Sequence, residues 1–164
     1  MKPLLLLFTL LLASASLGAA PPPASPLPFS GATLDGRRFD LAARRGRVVM
    51  VVLWRSTCPV CIDKLPELRI NARGWKDAPF DLVLVNLDAS PADAERYDRA
   101  RRILAPGEAS VFSFWQGQAQ MPGPWRSPDR LPHTVIIDRQ GAVAAQFEGR
   151  IPAEAWNQVA DLLP

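Results

Sequence analysis

The chain of 164 residues has two cysteines, and only two residues separate them: Cys58-Pro59-Val60-Cys61. Thiols at that spacing can form a structural staple, supply half of a metal site, or cycle between dithiol and disulfide. A staple across two residues closes almost no loop, so it removes little entropy from the unfolded chain. Two cysteines and the single histidine, His133, are too few for a four-ligand structural zinc site. Redox cycling is the better use of the pair. It needs one accessible thiolate to attack and a second thiol, held back, to resolve the mixed disulfide. The N-terminus of a helix offers unpaired N–H groups and a partial positive charge, both of which favour thiolate over thiol. Pro59 suits a first helical turn, where its missing N–H is not needed. Cys58 is therefore expected as the exposed nucleophile at a helix start, and Cys61, one turn in, as the more buried resolving thiol.

The elements around the pair must put it there. Val48–Trp54 is apolar on both faces, as a central strand covered on both sides would be. A helix is expected from about Pro59, with Ile62, Leu65 and Leu68 inward and a kink at Pro66. A second buried strand is expected over Asp81–Asp88. Pro91–Leu104 reads as an amphipathic helix with Ala94, Tyr97, Ala100 and Leu104 on its inner face. Glu95–Arg99 and Asp98–Arg102 are i,i+4 pairs on its outside, and its Arg-rich end reads as solvated. Upstream, Phe29–Leu34 and Arg37–Asp40 flank Asp35-Gly36, a hairpin signal. Residues 105–130 read as a Pro-rich loop around one strand, Val111–Trp115. Thr134–Asp138 is expected as a strand that turns at Arg139-Gln140-Gly141 into Ala142–Phe147. A last helix begins near Pro152 with Trp156, Val159, Ala160 and Leu163 on one side. This order argues an α/β fold: a mixed central β-sheet flanked by helices, right-handed crossovers, and an N-terminal β-hairpin extension.

The composition, 48% hydrophobic and 21% charged, is that of one globular domain and excludes a disordered chain. A net charge of +3 argues against a nucleic-acid partner. Residues 1–20 have the pattern of a signal peptide. Lys2 precedes an apolar run from Leu4 to Leu12, and small residues with an A-x-A site at Ala13-Ser14-Ala15 follow. The run is well short of the roughly 20 residues of a spanning helix. Cleavage is thus expected rather than an anchor, with no stable membrane span after processing. Residues 21–28 form a Pro-rich lead, and 29–164 form the domain, expected as a monomer in the periplasm or another extracytoplasmic space.

Trp54-Arg55-Ser56-Thr57-Cys58-Pro59-Val60-Cys61 resembles the W-x-x-x-C-x-x-C of thioredoxin-fold proteins. Pro66 matches their helix-kinking proline, and Leu131-Pro132-His133-Thr134 followed by Val-Ile-Ile-Asp resembles their cis-proline loop. The lead-in, from Asp35-Gly36 to Gly46-Arg47-Val48-Val49, is similar to the exported TlpA/ResA/DsbE-like branch, which includes ScsD-like proteins. The resemblance spans residues 27–163. It implies a thioredoxin-like fold and a thiol–disulfide oxidoreductase in which Cys58 and Cys61 are catalytic. It also implies a cis Leu131–Pro132 bond, a loop of Leu131, Pro132 and His133 that receives substrate, and support from Trp54, Pro59 and Val60. No cofactor beyond the cysteine pair and no metal is implied. The implied partners are protein thiols and disulfides and a membrane electron donor.

Three residues depart from the family pattern, two of them, Val52 and Lys64, where a carboxylate would accept a proton. Thr57 stands in place of tryptophan, Val52 in place of a buried acid, and Lys64 in place of a glutamate. Glu67 and His133 are the remaining candidates to handle a proton. Trp115 and Trp125 read as core or cover, with substrate contact as the alternative. Other functions stay open: a copper-delivery module using Cys58, Cys61 and His133, a peroxidase in which Arg55 replaces the expected threonine, or a redox-dead binding domain. Within the pair, Pro59 has no N–H to give and Val60 no side-chain donor. A middling to reducing potential of about −200 to −270 mV is therefore expected, which favours a reductase or isomerase-like direction.

Overall fold

A computed structural model of the chain describes residues 27–104 and 106–164. The expected signal peptide and residues 21–26 of the Pro-rich lead lie outside the described residues. Along the chain run β1 (Ser30–Ala32), β2 (Arg38–Asp40), β3 (Val48–Trp54), α1 (Pro59–Gly74), β4 (Phe80–Asn86), α2 (Pro91–Leu104), β5 (Val111–Trp115), β6 (Ala119–Gln120), β7 (His133–Ile137), β8 (Val143–Glu148) and α3 (Glu154–Leu162).

Five strands form the central sheet in the order β5-β4-β3-β7-β8. β3, β4 and β5 are parallel, because each pair is joined through a helix; β7 and β8 are antiparallel additions. β3 lies in the middle with all seven residues buried, so its side chains alternate between two cores. Val48, Met50, Val52 and Trp54 face Leu65, Leu68 and Ala72 of α1 and Ala155 and Val159 of α3. Tyr97 of α2 packs on the same side, its ring 4.8 Å from that of Trp54. Val49, Val51 and Leu53 face the other way, into a core with Phe29, Phe39, Phe112, Phe114 and Trp125.

All three helices therefore lie on one face. The second face is closed by a three-stranded sheet in the order β2-β1-β6. The hairpin expected at the N-terminus is present, and it serves as the cover of a core. Two glycines make this cover possible. Gly36, at φ 84°, supplies the left-handed turn residue of the hairpin. Gly31 lets β6 approach: a Cβ there would collide with the Gln118 carbonyl oxygen and crowd the backbone of Ala119.

Four inward assignments change. Along α1 the buried apolar positions are Cys61, Leu65, Leu68 and Ala72, spaced by four, three and four residues, with Arg69 buried beside them; Ile62 is one step off that stripe and 38% exposed. α2 has the expected bounds, but its buried residues are Ala94 and Asp98, while Ala100 is exposed and Leu104 is 85% exposed. The reason is charge. Arg101 binds Asp98 at 2.9 Å and Glu108 at 2.6 Å, and Arg69 of α1 binds Glu108 at 2.7 Å. This network turns Arg101 inward, while Arg99 is exposed as expected and Arg102 stays half out and pairs with Asp98 at 3.0 Å. On α3, Ala155 and Val159 are buried and Ala160 is exposed.

Candidate functional site: the cysteine pair at the head of the first helix

The apolar run of β3 stops at Arg55, and the chain turns through Arg55–Thr57 before α1 begins. Cys58 is the N-cap of α1 in extended conformation, Pro59 occupies the first turn, and the Cys61 N–H donates to Cys58 Sγ at 3.2 Å. One of the unpaired amides of the helix start is thus aimed at the first sulfur, as a thiolate there would require. The two cysteines are joined in a disulfide with a Cα–Cα distance of 5.2 Å. Cys61 is 2% exposed and belongs to the core beneath α1, whereas Cys58 is only partly buried at its edge. Helix α1 continues through Pro66 to Gly74.

Trp54 is buried against Tyr97 and, among the described residues, has no hydrogen-bond partner for its Nε1. Val52 is buried in the same core as Cys61. Across from it on β7 stands Thr134, fully buried, its hydroxyl without a partner among the described residues. Lys64 and Glu67 bind each other at 2.7 Å on the surface of α1, which occupies the Glu67 carboxylate.

The Leu131–Pro132 bond is cis. Pro132 is buried and Leu131 half-buried, with Leu131 packing against both cores. His133 does not join the sulfurs. It pairs in register with Leu53, whose side chain points into the core under the small sheet, so His133 shares that face while Cys61 lies on the other. Its Nδ1 is 3.9 Å from Glu148 on β8 and makes no hydrogen bond among the described residues. Among the described residues no three His, Cys, Asp or Glu side chains are grouped to hold a metal ion, so the ligand set Cys58, Cys61 and His133 is not assembled.

Trp125 packs into the aromatic core, 5.7 Å from Phe29, while Trp115 is half-buried with its Nε1 donating to the Asp88 carbonyl at 2.9 Å. That second contact belongs to a platform absent from the sequence reading. Asp88 accepts the Ser56 N–H, Asn86 holds Asp88, and Gln116 donates to the carbonyls of Leu87 and Asp88. The available signal was topological. Asn86-Leu87-Asp88 follows the C-terminal end of a parallel strand, the end where α/β folds gather their functional groups.

The Redoxin family matches residues 18–163 of the chain. Among solved structures, a putative thiol:disulfide interchange protein DsbE from Chlorobium tepidum is 27% identical, with 84% of this chain and 94% of that one covered at a TM-score of 0.66. A thioredoxin family thiol:disulfide interchange protein from Chlorobium tepidum TLS is 20% identical over 88% and 99%, at 0.66. A DsbF homologue from Corynebacterium diphtheriae is 20% identical over 84% and 85%, at 0.63. The last two likenesses concern the fold. With nearly all of its folded length matched and its only two cysteines bonded at the head of α1, the chain belongs to the Redoxin family and is a thiol–disulfide oxidoreductase of thioredoxin-like fold.

Proposed function

We propose that this chain reduces protein disulfides outside the cytoplasm, with Cys58 as nucleophile and Cys61 as resolving thiol. The observation that carries the reading is the asymmetry of the pair: Cys58 caps a helix and receives an N–H, while Cys61 is buried behind it. In the reduced protein the Cys58 thiolate attacks one sulfur of a substrate disulfide. The substrate S–S bond breaks, its other sulfur leaves as a thiolate that takes up a proton, and a mixed disulfide remains on Cys58. Cys61, deprotonated, then attacks Cys58 Sγ and releases the second substrate thiol. The substrate has gained two electrons and the chain holds the Cys58–Cys61 disulfide. A dithiol donor must return those electrons. Beyond the cytosolic glutathione pool this is a membrane-borne protein, and no metal or organic cofactor enters the cycle.

The cis-proline loop is the docking rail. Leu131, Pro132 and His133 offer backbone beside β3, where an extended substrate segment can lie, with Trp54, Pro59 and Val60 shaping the floor. Export rests on the signal pattern of residues 1–20. The direction rests on the weak thiolate support within the pair, which places the potential at about −200 to −270 mV.

Cys61→Ala tests the mechanism. Expressed with its leader, this variant is expected to accumulate mixed disulfides through Cys58 in the cell envelope fraction, dissolved by dithiothreitol. Adducts on Cys61 in the reciprocal Cys58→Ala variant, with none in Cys61→Ala, would reverse the roles.

A further inference from the structure

The three residues that deliver Cys58 to the head of α1, Arg55–Thr57, belong to no strand or helix. Their side-chain tether is Asp88. The Ser56 N–H donates to both carboxylate oxygens, at 3.2 and 3.1 Å. Asp88 is itself held from two sides. Asn86 Nδ2 donates to Oδ2 at 2.8 Å, and Asn86 Oδ1 accepts the Asp88 N–H at 3.0 Å. Trp115 and Gln116 donate to its carbonyl at 2.9 and 3.1 Å. The residue is 8% exposed, and the hydrogen-bond donors to its carboxylate are neutral N–H groups. A group built in so firmly can do more than cap a loop, because its side chain is a carboxylate. Ser56 and Cys58 are two residues apart, at most about 7 Å of backbone; with the 3.1 Å bond to Ser56 the carboxylate lies within about 10 Å of the Cys58 nitrogen, comparable with the screening length of about 8–10 Å at 0.15–0.1 M salt.

We propose that Asp88 is a positioning residue for the redox pair: it fixes the loop that presents Cys58 and, as a fixed negative charge behind that loop, opposes the Cys58 thiolate and holds the pair toward the reducing side. The charges nearest in sequence do not cancel it. Arg55 is exposed to water, and Lys64 is paired with Glu67. The helix start and Asp88 therefore act on Cys58 in opposite senses. A destabilised thiolate makes the dithiol less favourable and the disulfide a weaker oxidant. This inference rests on Cys58 being the nucleophile.

Asp88→Asn keeps the shape and an oxygen for the Ser56 N–H but removes the charge; Asp88→Ala removes both. Reduced wild type and both variants are alkylated with iodoacetamide across a pH series, and the dithiol–disulfide equilibrium of each is read against glutathione. In Asp88→Asn the midpoint of Cys58 alkylation is expected to fall by about half to one pH unit. The equilibrium should move about three- to tenfold toward the dithiol. Asp88→Ala should show the same direction together with a lower kcat/KM for disulfide exchange, since the loop is also released. A purely structural role predicts lower melting temperatures with midpoint and equilibrium unchanged in Asp88→Asn; that result, or an upward move, overturns the proposal. Should Asp88→Ala not fold, Asp88→Asn decides alone. If Cys61 is the faster thiol in the wild type, the choice of nucleophile fails. The charge effect is still decided by the glutathione equilibrium, which does not depend on that choice.

Discussion

Under the small sheet, five aromatic rings fill the space: Phe29, Phe39, Phe112, Phe114 and Trp125 meet edge-on or tilted, with centroids 4.8 to 6.0 Å apart. Under the helices the filling includes ions. Arg69, Asp98, Arg101 and Glu108 form a nearly dry network between α1, α2 and the segment before β5. The aromatic side carries neither cysteine and only has to cover. The helical side has to hold α1 so that its first turn meets Cys58. Arg69 lies eight residues beyond Cys61, about 12 Å down the helix axis, and ties α1 to its neighbour by directional bonds. Apolar packing is expected to supply most of the stability on both sides, with the ions fixing an orientation that packing alone would leave loose.

The largest way to break this contrast is Glu108→Ala. It leaves two arginines without their shared carboxylate in the interior, and the expected loss is about 3–5 kcal/mol in urea unfolding. The contrast sharpens if disulfide exchange slows as well, since α1 loses its brace; an exchange rate equal to wild type at a temperature where the variant is folded would confine the network to stability. Gly31→Ala attacks the other face. Its Cβ meets the carbonyl of Gln118, so β6 must move off β1. The expected cost is about 1–3 kcal/mol, with the alkylation rate of Cys58 unchanged. A changed Cys58 rate would mean that the aromatic side also tunes the chemistry.

The smallest effect belongs to Asp35 at the hairpin turn. Burial pushes its carboxyl up, but the hydrogen bond from Thr33 and the charge and hydrogen bonds of Arg37 outweigh this and hold it below the usual carboxylate value. A lowered folded-state pKa contributes stability above the unfolded value of about 3.9, and that contribution is lost as pH falls through the folded value. Wild type should therefore exceed Asp35→Asn by a constant margin above about pH 5, under about 1 kcal/mol for so exposed a pair. The two should converge below about pH 4. A margin that persists in acid would assign the effect to turn geometry instead.

Much of the helical side was legible in the residues. Pro91 and Leu104 bound α2 as the amphipathic pattern indicated, and Pro59 opens α1. The cysteine pair was legible because its chemistry depends on a spacing and a helix start, both local. What escaped the sequence was non-local. Periodicity ranks Leu104 as inward and Asp98 as outward; the order reverses only because Arg69 and Glu108, 29 and 10 residues from Asp98, arrive at the same place. β6 is two residues long and exists only through pairing with β1, which no local pattern announces. His133 follows the cis proline, yet one step along a strand changes the face of the sheet, and the register with Leu53 sent it away from the sulfurs.

The burial of Cys61 has a kinetic consequence. On the proposed roles of the two cysteines, and with 2% of Cys61 exposed, the pair has a single port: whatever brings electrons in and whatever takes them out must both bond to Cys58. Donor and substrate can never be bound covalently together, so each must leave before the other enters. Turnover is then a ping-pong cycle, giving parallel lines in double-reciprocal plots. An excess of either reactant queues at the wrong half of the cycle and inhibits competitively with the other. A fold with two exposed thiols would escape that limit. This one accepts it, and the supply of electrons and the demand for them are thereby kept strictly in turn.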